Sequence, residues 1–252
     1  MKRSMSDVTK HDELESPLQL GLAAARKLVP AGSILISFAV GILVCYRYVP
    51  AVTAVLDRIA EIKESGGLWL PVVSTALFGG VLPTVFQQMI PSTRSATAWA
   101  RLPFFTAFWA YKGFEINLLY NTQARIFGDG TDLGTLATKV AFDQFVFSMW
   151  WAVPTTVIVY ALPDAGYRIK GLPASLGPQW FKRRVIPILV ANWMVWIPTV
   201  VVIYSLKLPL QLPIQNIILC MWAILLLLLV QKPVARPVEA IEAAAHKGES
   251  AD

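Results

Sequence analysis

The stretch PLQLPIQNIILCMWAILLLLLV, residues 209–230, decides the fold. It runs for 22 residues without an aspartate, glutamate, lysine, arginine or histidine. A helix needs about 20 predominantly apolar residues to cross the hydrocarbon core of a bilayer. The stretch is long enough for that and lacks the strict two-residue alternation of a barrel strand. It therefore predicts a membrane-spanning helix.

Five other apolar segments lie upstream of this stretch. Together they predict an all-α, polytopic transmembrane helical bundle of about six spans. The third span is the weakest, because Lys112 and Glu115 interrupt it, and a re-entrant or interfacial helix is the alternative there. The predicted spans cover residues 29–46, 68–90, 102–120, 138–162, 185–206 and 209–230.

The composition agrees with a membrane protein. Of the 252 residues, 56% are hydrophobic and 15% are charged, against about 25% charged residues in a soluble domain. This excludes a disordered chain, a collagen-like fibre and a disulfide-rich secreted module. The net charge of +6 does not indicate a nucleic-acid partner, because the basic residues sit in short loops between hydrophobic runs.

The lysine and arginine residues also predict the topology. With six spans and both termini inside, 15 of them fall on the inner side and 6 on the outer side, as the positive-inside rule expects. Four regions follow from this arrangement. They are a polar N-terminal tail (1–28), an extra N-terminal span with its loop (29–55), the main bundle (56–231) and a polar C-terminal tail (232–252).

The chain offers no residues for a metal site or a catalytic centre within the membrane. Its two histidines, His11 and His246, fall in the tails, and Cys45 and Cys220 fall separately inside apolar runs. Metal-ligand clusters and a Ser–His–Asp triad are therefore not expected at membrane depth. Phosphate-cradling and dinucleotide motifs are absent as well. We expect no catalytic residues, no metal, no cofactor and no enzymatic activity.

Three ionisable side chains inside the predicted spans are candidates for function, since charge is costly in a bilayer. Lys112 and Glu115 are spaced i,i+3 and share one helix face. They form either a structural ion pair facing the bundle or a charged constriction of an aqueous path. Asp143 begins a polar stripe on another span, and Asn192 lies on a similar face of the fifth. Such faces hydrogen-bond to neighbouring helices or line a pathway. The stripe contains Asp143, Gln144, Ser148, Trp151 and Thr155.

Small and cyclic residues mark packing features of the spans. Pro83, Pro154 and Pro198 lie inside spans and predict kinks. The stripe Ser33, Ser37 and Gly41 and the pair Gly79-Gly80 predict close helix–helix packing. The predicted pore lining is Lys112, Glu115, Asp143, Gln144 and Asn192.

Several of these landmarks occur in an order that resembles the Mpv/peroxisomal membrane protein family, over residues of about 56–230. Residues 113–120, GFEINLLY, are similar to its Gly-Pro-x-x-His-x-Trp-Tyr element. Residues 139–144, KVAFDQ, resemble Lys-x-x-x-Asp-Gln, and residues 192–198, NWMVWIP, resemble Asn-Trp-x-x-Trp-x-Pro. The matched family positions are Gly113, Tyr120, Asp143, Gln144, Asn192, Trp193, Trp196, Pro198 and a late tryptophan, Trp222.

The resemblance implies a location and a class of function. It implies a mitochondrial inner or peroxisomal membrane, or the cell membrane if the protein is bacterial, and channel-like passage of small solutes. The leading hypothesis is a narrow, weakly selective channel or solute pathway for an unidentified solute or ion. The alternative is an accessory subunit of a larger membrane complex without transport activity. The expected partners are the lipid bilayer and either further copies of the chain or that larger complex.

Overall fold

The computed structural model describes residues 16–230. Within this range, every regular element is helical, which confirms the all-α prediction. Most of the predicted N-terminal tail (residues 1–15) and the whole predicted C-terminal tail (232–252) lie outside the described residues.

Among residues 16–230, eight α-helices follow one another along the chain. Three of them contain a π-helical segment, which is counted as part of its helix. They are α1 (Pro17–Tyr48), α2 (Pro50–Ser65), α3 (Trp69–Met89), α4 (Ala98–Phe127), α5 (Leu133–Ala161), α6 (Leu172–Leu176), α7 (Phe181–Tyr204) and α8 (Leu208–Val230).

Five of these helices, α1, α3, α5, α7 and α8, are long and apolar enough to cross a membrane. They fit a multi-pass membrane protein, and each coincides with a predicted span. The predicted third span is also helical, within α4, which has 30 residues. However, α4 is not among the five, because it carries several polar side chains.

Helix α1 begins at Pro17, well before residue 29, where the sequence predicted the first span. A capping box explains the earlier start. The Ser16 hydroxyl accepts a hydrogen bond from the backbone N–H of Gln19 at 3.2 Å, and the Gln19 side chain accepts one from the Ser16 N–H at 2.8 Å. Pro17 occupies a first-turn position, where its missing N–H costs nothing. The helix thus starts with a polar turn before its apolar part.

Helix α2 was not predicted, because its segment is too polar for a span. Its apolar residues nevertheless repeat with helical spacing, and Leu56 and Ala60 are buried on one face. The i,i+4 spacing of these two residues was the available signal. The helix packs this face against α8 and α1.

Helix α1 packs along α7 through small residues. A β-carbon at Gly21 would lie 2.6 Å from Cβ of Val190, and one at Gly32 would lie 2.7 Å from Cγ2 of Val195. Among residues 16–230, the predicted close packing of the α1 stripe is wrong. Ser33 and Ser37 are exposed, and nothing lies near Gly41, because the neighbouring face takes the contact.

The glycine pair of α3 is a close-approach point, as predicted. A β-carbon at Gly79 would lie 2.6 Å from the Trp109 ring, and one at Gly80 would lie 3.0 Å from Cα of Thr106. Gly113 of α4 faces α3 in the same way, beside the Pro71 carbonyl. Helices α3 and α4 therefore approach closely through glycine on both sides.

Candidate functional site

A cavity of about 470 Å³ lies among helices α4, α5, α7 and α8. All five predicted pore-lining residues border it, and they come from three of these helices. Four of the positions that carry the family resemblance, Tyr120, Trp193, Trp196 and Trp222, border it too, whereas Gly113 contacts α3 instead. The five are Lys112, Glu115, Asp143, Gln144 and Asn192.

Lys112 and Glu115 form a buried ion pair on the cavity wall. The Lys112 ammonium lies 2.6 Å from Oε1 of Glu115, and both side chains are less than a tenth exposed. Two side chains of α5 form hydrogen bonds with this ion pair. Lys112 donates to the Thr155 hydroxyl at 3.2 Å, and the Trp151 indole N–H donates to Oε2 of Glu115 at 2.9 Å. The two charges thus neutralise each other and join α4 to α5.

The Asp143 carboxylate is held by neutral donors. The Tyr204 hydroxyl donates to Oδ2 at 2.7 Å, while Ser148 and Gln144 donate to Oδ1 at 3.3 Å each. No lysine or arginine among residues 16–230 forms an ion pair with it. Asp143 is therefore hydrogen-bonded without being charge-neutralised.

The polar stripe predicted on α5 divides into two groups. Residues Phe142–Ala152 form a π-helix, whose wider turns change the spacing on which the prediction rested. The side chains of Asp143 and Ser148, five residues apart, hydrogen-bond to each other. Those of Trp151 and Thr155 hydrogen-bond to the ion pair of α4. π-Helical segments are uncommon in proteins, and those that occur often lie at functional sites.

The predicted kink positions differ in their surroundings. Pro83 lies two residues after the end of the π-helical segment Ala76–Val81, and Pro154 lies two residues after the end of Phe142–Ala152. Each proline lacks the N–H that would continue an α-helical ladder, so the wider turn accommodates it. Pro198 instead lies within the α-helical part of α7.

Sequence reasoning missed several polar residues in and around the site, namely Gln123, Tyr204, Gln211, Gln215 and Asn216. Tyr204 links one of them to the predicted Asp143, since it donates to Asp143 and accepts from the Gln123 amide at 3.0 Å. Tyr120 donates to Gln215 of α8. The amide of Asn216 contacts Ser74 and Thr75 of α3. The sequence signal for these residues was present in the stretch 209–230, where Gln211, Gln215 and Asn216 interrupt an otherwise apolar run.

Lys139 is a second buried lysine near the site. Its residue exposure is 1%, and its ammonium lies 5.9 Å from the centroid of the Tyr204 ring. It does not border the cavity, and within residues 16–230 it forms no ion pair. Tyr204 thus contacts the Asp143 carboxylate through its hydroxyl, while the Lys139 ammonium lies near its ring.

The cavity also presents neutral hydrogen-bonding groups. The Asn192 amide forms no hydrogen bond with another described side chain or backbone group, and the same holds for the indole N–H groups of Trp196 and Trp222. Within the described chain, no group of three histidine, cysteine, aspartate or glutamate residues has a metal-binding arrangement. No family model, curated protein or solved structure matches this chain.

Proposed function

We propose that this chain is an integral membrane protein that passes small solutes through the cavity among α4, α5, α7 and α8. One observation carries the proposal. Polar and ionisable side chains scattered over 80 residues of sequence, from Lys112 to Asn192, converge on one cavity between apolar helices. Ionisable residues in membrane helices mark pathways for ions and solutes. The resemblance to the Mpv/peroxisomal membrane protein family supports the same function and a mitochondrial inner or peroxisomal membrane, or a bacterial cell membrane.

The proposal includes a sixth span, formed by α4. With 30 residues, this helix is about 45 Å long at 1.5 Å per residue. The polar residues in the middle of the helix are turned inward: Lys112, Glu115 and Asn117 are all buried. The outer surface there is largely apolar, with Tyr111, Phe114 and Leu118 exposed, and the exposed Thr122 and Arg125 lie toward its C-terminal end. A helix with its charges inside the bundle and an apolar outer face is suited to lipid contact.

Helices α4 and α5 also lie side by side along most of their length. At one end, Arg101 lies 3.6 Å from Asp164, and at the other, the rings of Phe127 and Phe142 are 5.7 Å apart. The ion pair of α4 contacts α5 between these points. Because α5 is long and apolar enough to cross a membrane, we propose that its antiparallel neighbour crosses with it. Six spans place both termini on the same side.

Recording from planar bilayers tests the proposal. We expect discrete openings from the wild-type protein, and a changed conductance or ion preference for Asp143→Asn and Lys112→Met. Removing Lys112 alone leaves Glu115 buried without its partner, which costs about 3–5 kcal/mol. The double variant Lys112→Met with Glu115→Gln avoids this, and its thermal midpoint in detergent shows whether it folds.

Exposed charges outside the cavity provide matched controls. Asp129→Asn and Lys170→Met remove charges of the same kinds from exposed positions, and we expect wild-type currents from both. Unchanged currents in the cavity variants would contradict the assignment of the lining. Silent bilayers with folded, inserted protein would contradict passage of ions and favour the second candidate function.

That second candidate is an accessory subunit of a larger membrane complex. It is favoured by the Ser33, Ser37 and Gly41 stripe, which faces away from the rest of residues 16–230 and leaves room there for another helix. Size-exclusion chromatography of protein solubilised in mild detergent separates the two functions. A fixed stoichiometry with other proteins, together with silent bilayers, would support the subunit.

A further inference from the structure

We propose that the cavity among α4, α5, α7 and α8 selects an amphipathic organic cation, meaning a small molecule with an apolar body and an amine or quaternary ammonium group. This inference deepens the proposed function and rests on it. It concerns which solutes enter, and it follows from the charge and the aromatic character of the cavity wall.

The charged groups on the wall leave a net negative charge. Lys112 and Glu115 cancel, since their charged atoms are 2.6 Å apart. The remaining ionisable carboxylate that borders the cavity is that of Asp143, whose partners are the neutral groups of Tyr204, Ser148 and Gln144. A carboxylate with neutral partners in a region of low dielectric attracts a cation and repels an anion.

The rest of the wall suits the apolar part of such a cation. Six aromatic side chains border the cavity in addition to Tyr120. Aromatic rings attract cations through their negative faces and bind apolar groups by burial. The protein makes such a contact itself, since the Lys112 ammonium lies 5.7 Å from the centroid of the Phe108 ring. The six are Trp109, Phe147, Tyr160, Trp193, Trp196 and Trp222.

Lys139 opposes this selectivity without abolishing it. It lies four residues before Asp143 on α5, yet its ammonium approaches the Tyr204 ring rather than the carboxylate and does not border the cavity. Its charge therefore weakens the negative potential at Asp143. Removing that charge should strengthen cation binding, whereas removing the charge of Asp143 should weaken it. The opposite signs distinguish electrostatic selection from a structural role.

Binding of three related probes tests the inference. They are benzyltrimethylammonium, the uncharged 3-phenylpropan-1-ol and the anion 3-phenylpropanoate, each followed by quenching of tryptophan fluorescence in purified protein. We expect the cation to bind about tenfold more tightly than the alcohol, because the carboxylate and the aromatic rings both attract its charge, and the anion to bind most weakly. Asp143→Asn should abolish the preference, Asp143→Glu should retain it, and Lys139→Met should increase it.

Two controls make the result decisive. Glu61→Gln removes an exposed carboxylate outside the cavity and should leave the preference unchanged. Loss of the preference in Asp143→Asn but not in Asp143→Glu cannot come from unfolding if both variants melt at similar temperatures. Equal affinity for the three probes, or an effect of Lys139→Met in the opposite direction, would overturn the inference.

Vesicle swelling separates this inference from the proposed function. Proteoliposomes in an osmotic gradient of erythritol, an uncharged solute, report passage without regard to charge. Swelling combined with equal probe affinities would overturn the organic-cation inference and leave the pathway intact. Cation-selective binding without passage of erythritol or the cation would instead contradict the pathway and support a binding site.

Discussion

At the scale of single residues, the best-defined polar contacts outside the apolar spans surround Asp57 of α2. Its Oδ1 accepts hydrogen bonds from the Tyr46 hydroxyl at 2.9 Å and from the Lys207 ammonium at 3.1 Å. The hydrogen bonds from Lys207 and Tyr46 lower the pKa of Asp57 below its ordinary value of 3.8. The hydrogen bonds with Tyr46 and Asp57 raise the pKa of Lys207 above 10.5. This cluster therefore joins α1, α2 and the connection between α7 and α8 when both groups are charged.

These shifts predict how the stability contributed by the cluster depends on pH. Because the pKa of Asp57 is lowered in the folded protein, its contribution is present above pH 3.8 and is lost as the pH falls through the folded value. Because the pKa of Lys207 is raised, its contribution is present below pH 10.5 and is lost as the pH rises through the folded value. We therefore expect Asp57→Asn to melt at a lower temperature than the wild type at pH 7, and the difference to narrow as the pH falls below 3.8.

A carboxylate on the same helix provides the control. Glu61 pairs with Arg58 at 2.7 Å, but both side chains are more than half exposed, and exposed pairs contribute about 0–1 kcal/mol. Glu61→Gln should therefore melt close to the wild type at pH 7. A gap between Asp57→Asn and the wild type that did not narrow at all below pH 3.8 would show that the carboxylate acts through packing rather than through its charge.

At the scale of helices, glycine decides how closely α3 and α4 approach. A β-carbon at Gly113 would collide with the backbone carbonyl of Pro71 and lie 2.8 Å from Cβ of Thr75. Backbone cannot swing aside as a side chain can. We expect Gly113→Ala to destabilise the protein by about 1–3 kcal/mol, as overpacking does, and to lower its thermal midpoint in detergent.

The matched substitution on α1 should have the opposite effect. Gly41 has no atom within 4 Å of its would-be β-carbon. Gly41→Ala should therefore stabilise the helix by about 0.5–1 kcal/mol, because alanine has less backbone freedom to lose. Two alanine variants with equal thermal midpoints would contradict the close contact between α3 and α4.

Features that are local in sequence are the predictable ones. Apolar runs are local in sequence, so they identified all six long segments, and the i,i+3 spacing identified the Lys112–Glu115 pair. Helix α2 was not predicted because a short amphipathic helix has no long apolar run. The contacts of Tyr204 with Gln123 and Asp143 were not predicted because they depend on how three helices are aligned with one another. The prediction of one continuous polar stripe on α5 is wrong because it rests on α-helical spacing, whereas the chain forms a π-helix there.

At the scale of the whole molecule, the contacts at the ends of the helices agree with the charge distribution. The Arg101–Asp164 pair joins the start of α4 to the region after α5, next to the basic residues Arg168 and Lys170. The Asp57–Lys207 pair joins α2 to the connection between α7 and α8. In the six-span topology these pairs lie on opposite sides of the membrane, with the side richer in lysine and arginine inside.

Cysteine accessibility tests this topology. In a background with Cys45 and Cys220 replaced by alanine, single cysteines are introduced as Ala96→Cys, Asp129→Cys and Asp164→Cys, all at exposed positions. If α4 crosses the membrane, an impermeant maleimide applied to sealed, oriented vesicles labels positions 96 and 164 from the same side and position 129 from the other. If α4 lies within one leaflet or on the surface, positions 96 and 129 share a side and position 164 lies opposite. Since α5 separates positions 129 and 164 in both cases, that pair controls for vesicle sealing, and the side of position 96 alone decides whether the ion pair of α4 lies inside a membrane.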